Sequence, residues 1–127
     1  TFAGATSWYP LQTESERHVF YEEMNDSKLI QNLDIAATHK QEMQALEQLE
    51  PVDVLITHVP PIELNSHRYF GSTDCFLNKL PSGTAKLYIF GHCHEQNVYE
   101  QNDATYYINA LGYPWEGLDA KIQSIHY

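Results

Sequence analysis

Two short apolar runs, "VDVLIT" at 52–57 and "KLYIF" at 86–90, constrain the fold more than any other feature of the chain. Each is brief, apolar and rich in β-branched or aromatic residues, as in a strand buried on both faces of a mixed sheet. Immediately before the first run, "THKQEMQALEQLEP" (38–51) reads as a helix. Thr38 with Gln41 fits a capping box. Met43, Leu46 and Leu49 make one narrow apolar face at three-residue spacing, with Ala45 and Ile35 as additions, and Met43 is read as core packing. Pro51 ends the helix. Between the runs, "STDCFLNKL" (72–80) predicts a short helix opened by Ser72 or Thr73, with Phe76, Leu77 and Leu80 facing inward. Helix, strand, helix, strand is the grammar of an α/β crossover.

The flanks are less regular. Residues 1–8 suggest a strand that Pro10 ends, and residues 11–33 a long loop with some helical turns. "NVYEQ" and "ATYYIN" flank Asn102-Asp103, a two-residue hairpin signal, and the nearby tyrosines read as hairpin packing. "KIQSIHY" (121–127) alternates and predicts a last strand. No internal repeat, low-complexity run or linker interrupts the 127 residues, a length that suits one domain.

Composition narrows the function classes. Seventeen acidic residues against seven basic ones give a net charge of −10. That excludes nonspecific nucleic-acid binding, which needs Lys and Arg to neutralise phosphates. It leaves room for a small phosphorylated substrate if bound cations supply the positive charge. No apolar stretch approaches a membrane span. Two cysteines, Cys75 and Cys93, are too few for a disulfide framework and predict a reducing compartment, hence a cytoplasmic location.

The chemistry concentrates in "YIFGHCHEQ" (88–96). A strand ends at Phe90, and Gly91 permits a turn that a Cβ would hinder. His92 and His94 follow at the strand's carboxyl end, where α/β sheets tend to place ligands. On a helix the two would diverge by about 200°, whereas an extended or turning segment can aim both at one site or at two adjacent metals. The alternative is an ordinary polar turn. Cys93 would point away from both neighbours and is assigned to the wall behind the site. "DVLITHVPP" (53–61) repeats the pattern: a buried strand, His58 at its end, then a stiff Pro60-Pro61 loop. If the two strands are neighbours, His58, His92 and His94 share one rim.

"DVLITHVPP" followed by "IFGHCH" resembles the calcineurin-like metallophosphoesterases, which carry a lone His after one strand and Gly-His-x-His after a later one. "GATSWYPL", "YEEMNDSKLI" and "INALGYP" also look like the small bacterial members. The resemblance implies an α/β sandwich of mixed β-sheets flanked by helices, ending in a β-hairpin. It implies a metal-dependent phosphatase or phosphodiesterase, acting on a phosphorylated small-molecule or nucleotide substrate, with two divalent metal ions, manganese, iron or zinc. His58 and His92 would then be ligands of one ion and His94 of the other. The family's Asp-x-His, Gly-Asp and Gly-Asn-His motifs do not occur in these residues. The expectation is therefore that residues 1–127 form the C-terminal portion of such a domain, lack the N-terminal half and its catalytic residues, and are inactive alone. Such a half should self-associate or pair with its missing half.

His67 and Arg68 could face the substrate phosphate or form a solvated loop pair, and Asn109, Gly112 and Tyr113 could border the site or make a structural turn. His18, His39 and His126 are read as surface or core fillers. Two rival functions remain: an interaction scaffold of the same fold with no activity, and a simple zinc-binding module using His58, His92, His94 and Cys93.

Overall fold

Four strands run parallel: β1 (Phe2–Ala5), β2 (Val52–Thr57), β3 (Ala85–Phe90) and β5 (Ala104–Asn109). β4 (Gln96–Gln101) runs antiparallel to β5, so the one sheet is mixed, in the order β1-β2-β3-β5-β4. The structure, a computed structural model, describes residues 1–64 and 77–125. Parallel neighbours need long crossovers. A layer of short helices supplies the one between β1 and β2: α1 (Glu14–His18), a wider π turn (Val19–Glu23), α2 (Asn25–Leu29) and α3 (Ile35–Glu47). The α/β class read from the two apolar runs is the class observed.

The hairpin forms where the dipeptide signal put it. Asn102 and Asp103 both adopt positive φ, 53° and 58°, as a type I′ turn requires. On the inner face, Leu55, Tyr88 and Tyr106 lie in register across three strands. The two tyrosine rings stack at 4.5 Å and 9° across the parallel β3–β5 pair, not across the β4–β5 hairpin in which tyrosine packing was expected. Leu46 of α3 is buried in the same cluster, with Met43 and Leu49 packed against it. A second cluster of Tyr9, Phe20, Ile35 and Val59 fills the space under the α1 segment.

Several local expectations are corrected. Helix α3 begins at Ile35 because Asp34, not Thr38, caps it: the Asp34 carboxylate accepts from the Ala37 N–H at 3.0 Å. The Thr38 hydroxyl instead donates to the Asp34 carbonyl at 2.8 Å, inside the first turn. Ile35 is buried, but in the second cluster, and Ala45 is exposed. β2 is buried on both faces only at Val54 and Leu55; Ile56, on the outer face, is 47% exposed.

Residues 77–80 are not helical; the rest of the helix expected at 72–80 lies outside the described residues, as does Cys75. Asn78 explains part of the departure. It is 2% exposed, its N–H donates to the Pro60 carbonyl at 3.0 Å, and its amide donates to the Ser7 hydroxyl at 2.8 Å. These bonds tie the backbone to loops and not to a preceding helical turn. The last expected strand is also absent over 121–125. Asn109 and Gln96 side chains bond the carbonyls of Lys121 and Asp119, so side chains and not a ladder hold the tail. Ile122 is fully exposed, and the alternation there has nothing to bury against. Among the described residues, no helix is long and apolar enough to cross a membrane.

Candidate metal centre

Register places the histidines. Ile56 pairs with Ile89, so β2 and β3 finish at one rim, with His58 just past one strand and Gly91 just past the other. The Gly91 N–H donates to the His58 carbonyl at 3.1 Å and ties the two strand ends together. A Cβ on Gly91 would sit 3.7 Å from His58 Nδ1, an ordinary contact. The turn is made one residue later than expected: His92 itself has the left-handed backbone, φ 65°. A non-glycine residue there is strained by about 1–2 kcal/mol, strain of the kind that clusters at functional sites.

That backbone swings the His92 ring back over His58. His92 Nδ1 lies 3.2 Å from His58 Nε2, with the rings edge to face at 83°. Tyr9 packs on His92 at 5.8 Å between ring centres. Burial, then the nearby His58 and His94, pull the His92 pKa down to about 3. His58 is lowered too, by desolvation of its ring and more weakly by His94, against the pull of Asp26. Both rings are therefore neutral at pH 7, the state in which imidazole coordinates a metal.

His94 lines the same cavity, of about 580 Å³, together with His58, His92, Glu23 and Asp26. Its Nδ1, however, bonds the Glu116 carboxylate at 2.6 Å. The expected three-histidine rim thus resolves into a His58–His92 pair and a separate His94–Glu116 pair. Among the described residues, no group of three or more His, Cys, Asp or Glu side chains converges to hold a metal ion. The first pair nevertheless fits two corners of one ion. Two nitrogens each about 2.0–2.1 Å from a tetrahedral zinc stand roughly 3.3 Å apart, close to the 3.2 Å observed. The described residues do not complete that coordination shell.

Cys93 forms the wall behind the site, as expected, but on a bent and not an extended segment: its N–H donates to the Gly91 carbonyl at 2.8 Å and its carbonyl accepts the Glu95 N–H at 2.9 Å. It is 1% exposed in the core, and burial raises its thiol pKa to about 12. It stays a protonated thiol at neutral pH, whereas zinc takes the thiolate. His67 and Arg68 lie outside the described residues. Gly112 and Tyr113 do line the cavity, while Asn109 spends its amide on the tail. His39 is neither filler nor ligand: with Glu42 it clamps the Trp8 backbone. Glu116, Glu23 and Asp26 escaped the sequence reading. Nothing in the chain near Glu116 signalled its approach to a histidine 22 residues earlier.

No protein-family model matches the chain, and no curated protein matches it. Among solved structures, phosphopantetheinyl hydrolase from Mycobacterium tuberculosis is similar, with a TM-score of 0.58 and 17% identity. The match covers 87% of this chain and 47% of that one, so the chain spans about half the length of the structure it resembles. At this identity the likeness concerns the fold: the chain shares with that hydrolase an α/β arrangement of a mixed sheet flanked by helices.

Proposed function

We propose that the chain is the C-terminal portion of a metal-dependent phosphoester hydrolase of the calcineurin-like metallophosphoesterase family. The observation that carries this reading is the pair of neutral imidazoles, His58 and His92, converging at the carboxyl rim of two adjacent parallel strands. The fold likeness to a hydrolase supports it. In this reading His58 and His92 hold one divalent cation and His94 a second, with manganese, iron and zinc all compatible with imidazole. The bound cations would supply Lewis acidity and an activated hydroxide for attack on phosphorus.

The chain's own residues have definable parts in this reading. The buried environment keeps the His92 lone pair available at neutral pH. Tyr9 shields one side of that ring from water. The described residues lining the cavity include Glu23 and Asp26 and no Lys or Arg, so an anionic phosphate needs cations to settle there. The outer face of the sheet supports the half-domain reading. Gly4, Ile56, Ile89, Tyr107 and Val98 form one row across all five strands, with Ile56 47% and Val98 43% exposed. A missing half would cover that row.

The test is metal content and hydrolysis of bis(p-nitrophenyl) phosphate, for these 127 residues and for a chain extended upstream of Thr1. Turnover is expected only in the extended protein. His92→Ala there should reduce it more than about 100-fold, since even outer-shell partners of a metal ligand are worth 10–100-fold. Robust turnover by the short chain would refute the half-domain reading. One tightly held zinc without hydrolysis in either form would favour the zinc-binding module, and neither metal nor turnover in the extended chain would favour the scaffold. Sedimentation should also find the short chain self-associated and Ile56→Lys shifted towards monomer. A concentrated wild-type solution that stays monomeric would count against the uncovered face.

A further inference from the structure

We propose that Glu116 is a positioning residue that fixes the tautomer and orientation of His94. Its carboxylate oxygen Oε2 lies 2.6 Å from His94 Nδ1. The same oxygen accepts the Tyr113 backbone N–H at 2.6 Å, so the carboxylate is held from the main chain as well as from the ring. Pro114–Glu116 form a 3-10 turn closed by the Glu116 N–H on the Tyr113 carbonyl at 2.9 Å. The side chains of His94 and Glu116 are only 18% and 23% exposed.

Three further features build the seat. Gly112 has φ +70°, and a Cβ there would come within 2.6 Å of Glu116 Oε2 and 3.0 Å of Leu118, so the turn closes on the carboxylate only with glycine. The Tyr113 ring stands edge-on to His94 at 4.7 Å. Trp115 stacks on Tyr113 at 4.6 Å and 12°, backing that ring. A carboxylate facing Nδ1 takes the imidazole proton on that nitrogen and leaves the ring lone pair on Nε2. A carboxylate bound to the far nitrogen is the usual partner of a metal-ligating histidine, setting its orientation and raising its basicity.

The consequence for metal binding rests on the reading of His94 as a ligand; the tautomer does not. The experiment is therefore nitrogen-15 imidazole NMR of the metal-free chain at about pH 8, above the ordinary imidazole range. His94 should be the Nδ1–H tautomer in the wild type. Glu116→Ala should move it towards Nε2–H, the form a free imidazole prefers in water. Glu116→Gln, whose amide oxygen can take the same two bonds, should keep Nδ1–H. Zinc followed on the same resonance should bind 10–100-fold more weakly in Glu116→Ala, with Glu116→Gln between.

A folded Glu116→Ala in which His94 stays Nδ1–H would overturn the proposal, as would an Nε2–H wild type. If Glu116→Ala fails to fold, Gly112→Ala offers a second route: the added methyl should unseat the carboxylate and release the tautomer, and an unchanged tautomer would overturn the proposal equally. The expected tautomers with no response of His94 to zinc in the chain extended upstream of Thr1 would uphold the positioning role and remove His94 from the proposed metal site.

Discussion

Leu55→Ala should lower the unfolding free energy by about 2–5 kcal/mol, the range for emptying a leucine site in a rigid core. The upper part of that range is expected. Leu55 is completely buried, β2 is laddered to β1 on one side and β3 on the other, and the backbone cannot collapse into the void. Leu46, Tyr88 and Tyr106 share its cluster and would lose their contacts with it. Domains of this size hold about 5–15 kcal/mol in total, so this one change removes a large part of the whole. Ile122→Ala, in the fully exposed tail, should change stability by less than about 0.5 kcal/mol. Urea titrations of the two variants under identical conditions decide the matter. Equal losses would mean that the inner cluster is not the core that holds the sheet.

The second large effect is acid destabilisation through His92. Its folded pKa of about 3 lies below the ordinary histidine value near 6.5. The unfolded chain therefore binds a proton that the folded chain refuses. The sign follows: the contribution is complete above pH 6.5 and is lost progressively as pH falls towards about 3. The slope for this one group is about 1.4 kcal/mol per pH unit. His58, also lowered, adds in the same direction. The measurement is the urea midpoint of EDTA-treated protein at several pH values across that window. His92→Asn should flatten the dependence relative to wild type. A wild-type midpoint that does not move between pH 7 and pH 4 would show that the ring titrates in the open, not in a buried pair. Glu63 and Asp53 are lowered as well but lie fully at the surface, so their part in the slope is screened and small.

Much of the architecture was legible from local composition. The β2 and β3 runs, the Asn102-Asp103 hairpin and the helical turns before Asp34 were read correctly, because each signal is complete within a few neighbouring residues. The start of α3 was misplaced because two caps compete within five residues. Asp34 prevails where its choice also lets Ile35 reach Tyr9, Phe20 and Val59, partners that only the folded chain supplies. The tail at 121–125 failed for the opposite reason: its alternation was genuine, but Asn109 and Gln96 side chains take the carbonyls of Lys121 and Asp119 and Ile122 faces solvent, so no buried apolar face favours a strand.

The site divides along the same line. That His58, His92 and His94 sit at strand ends follows from the order of apolar run and histidine, and Cys93 does face the core, although through the bend at His92 and not the two-residue repeat of extended chain. Which histidines meet does not follow from spacing. The pairing of His92 with His58 needs the parallel register of β2 on β3 and the left-handed backbone at His92. The pairing of His94 with Glu116 needs a glycine turn 18 residues further on to close over the cavity. Residue types and local backbone preferences act over a few residues and are written in the chain. Convergence of imidazole and carboxylate depends on long-range register and packing, and only the folded sheet supplies it.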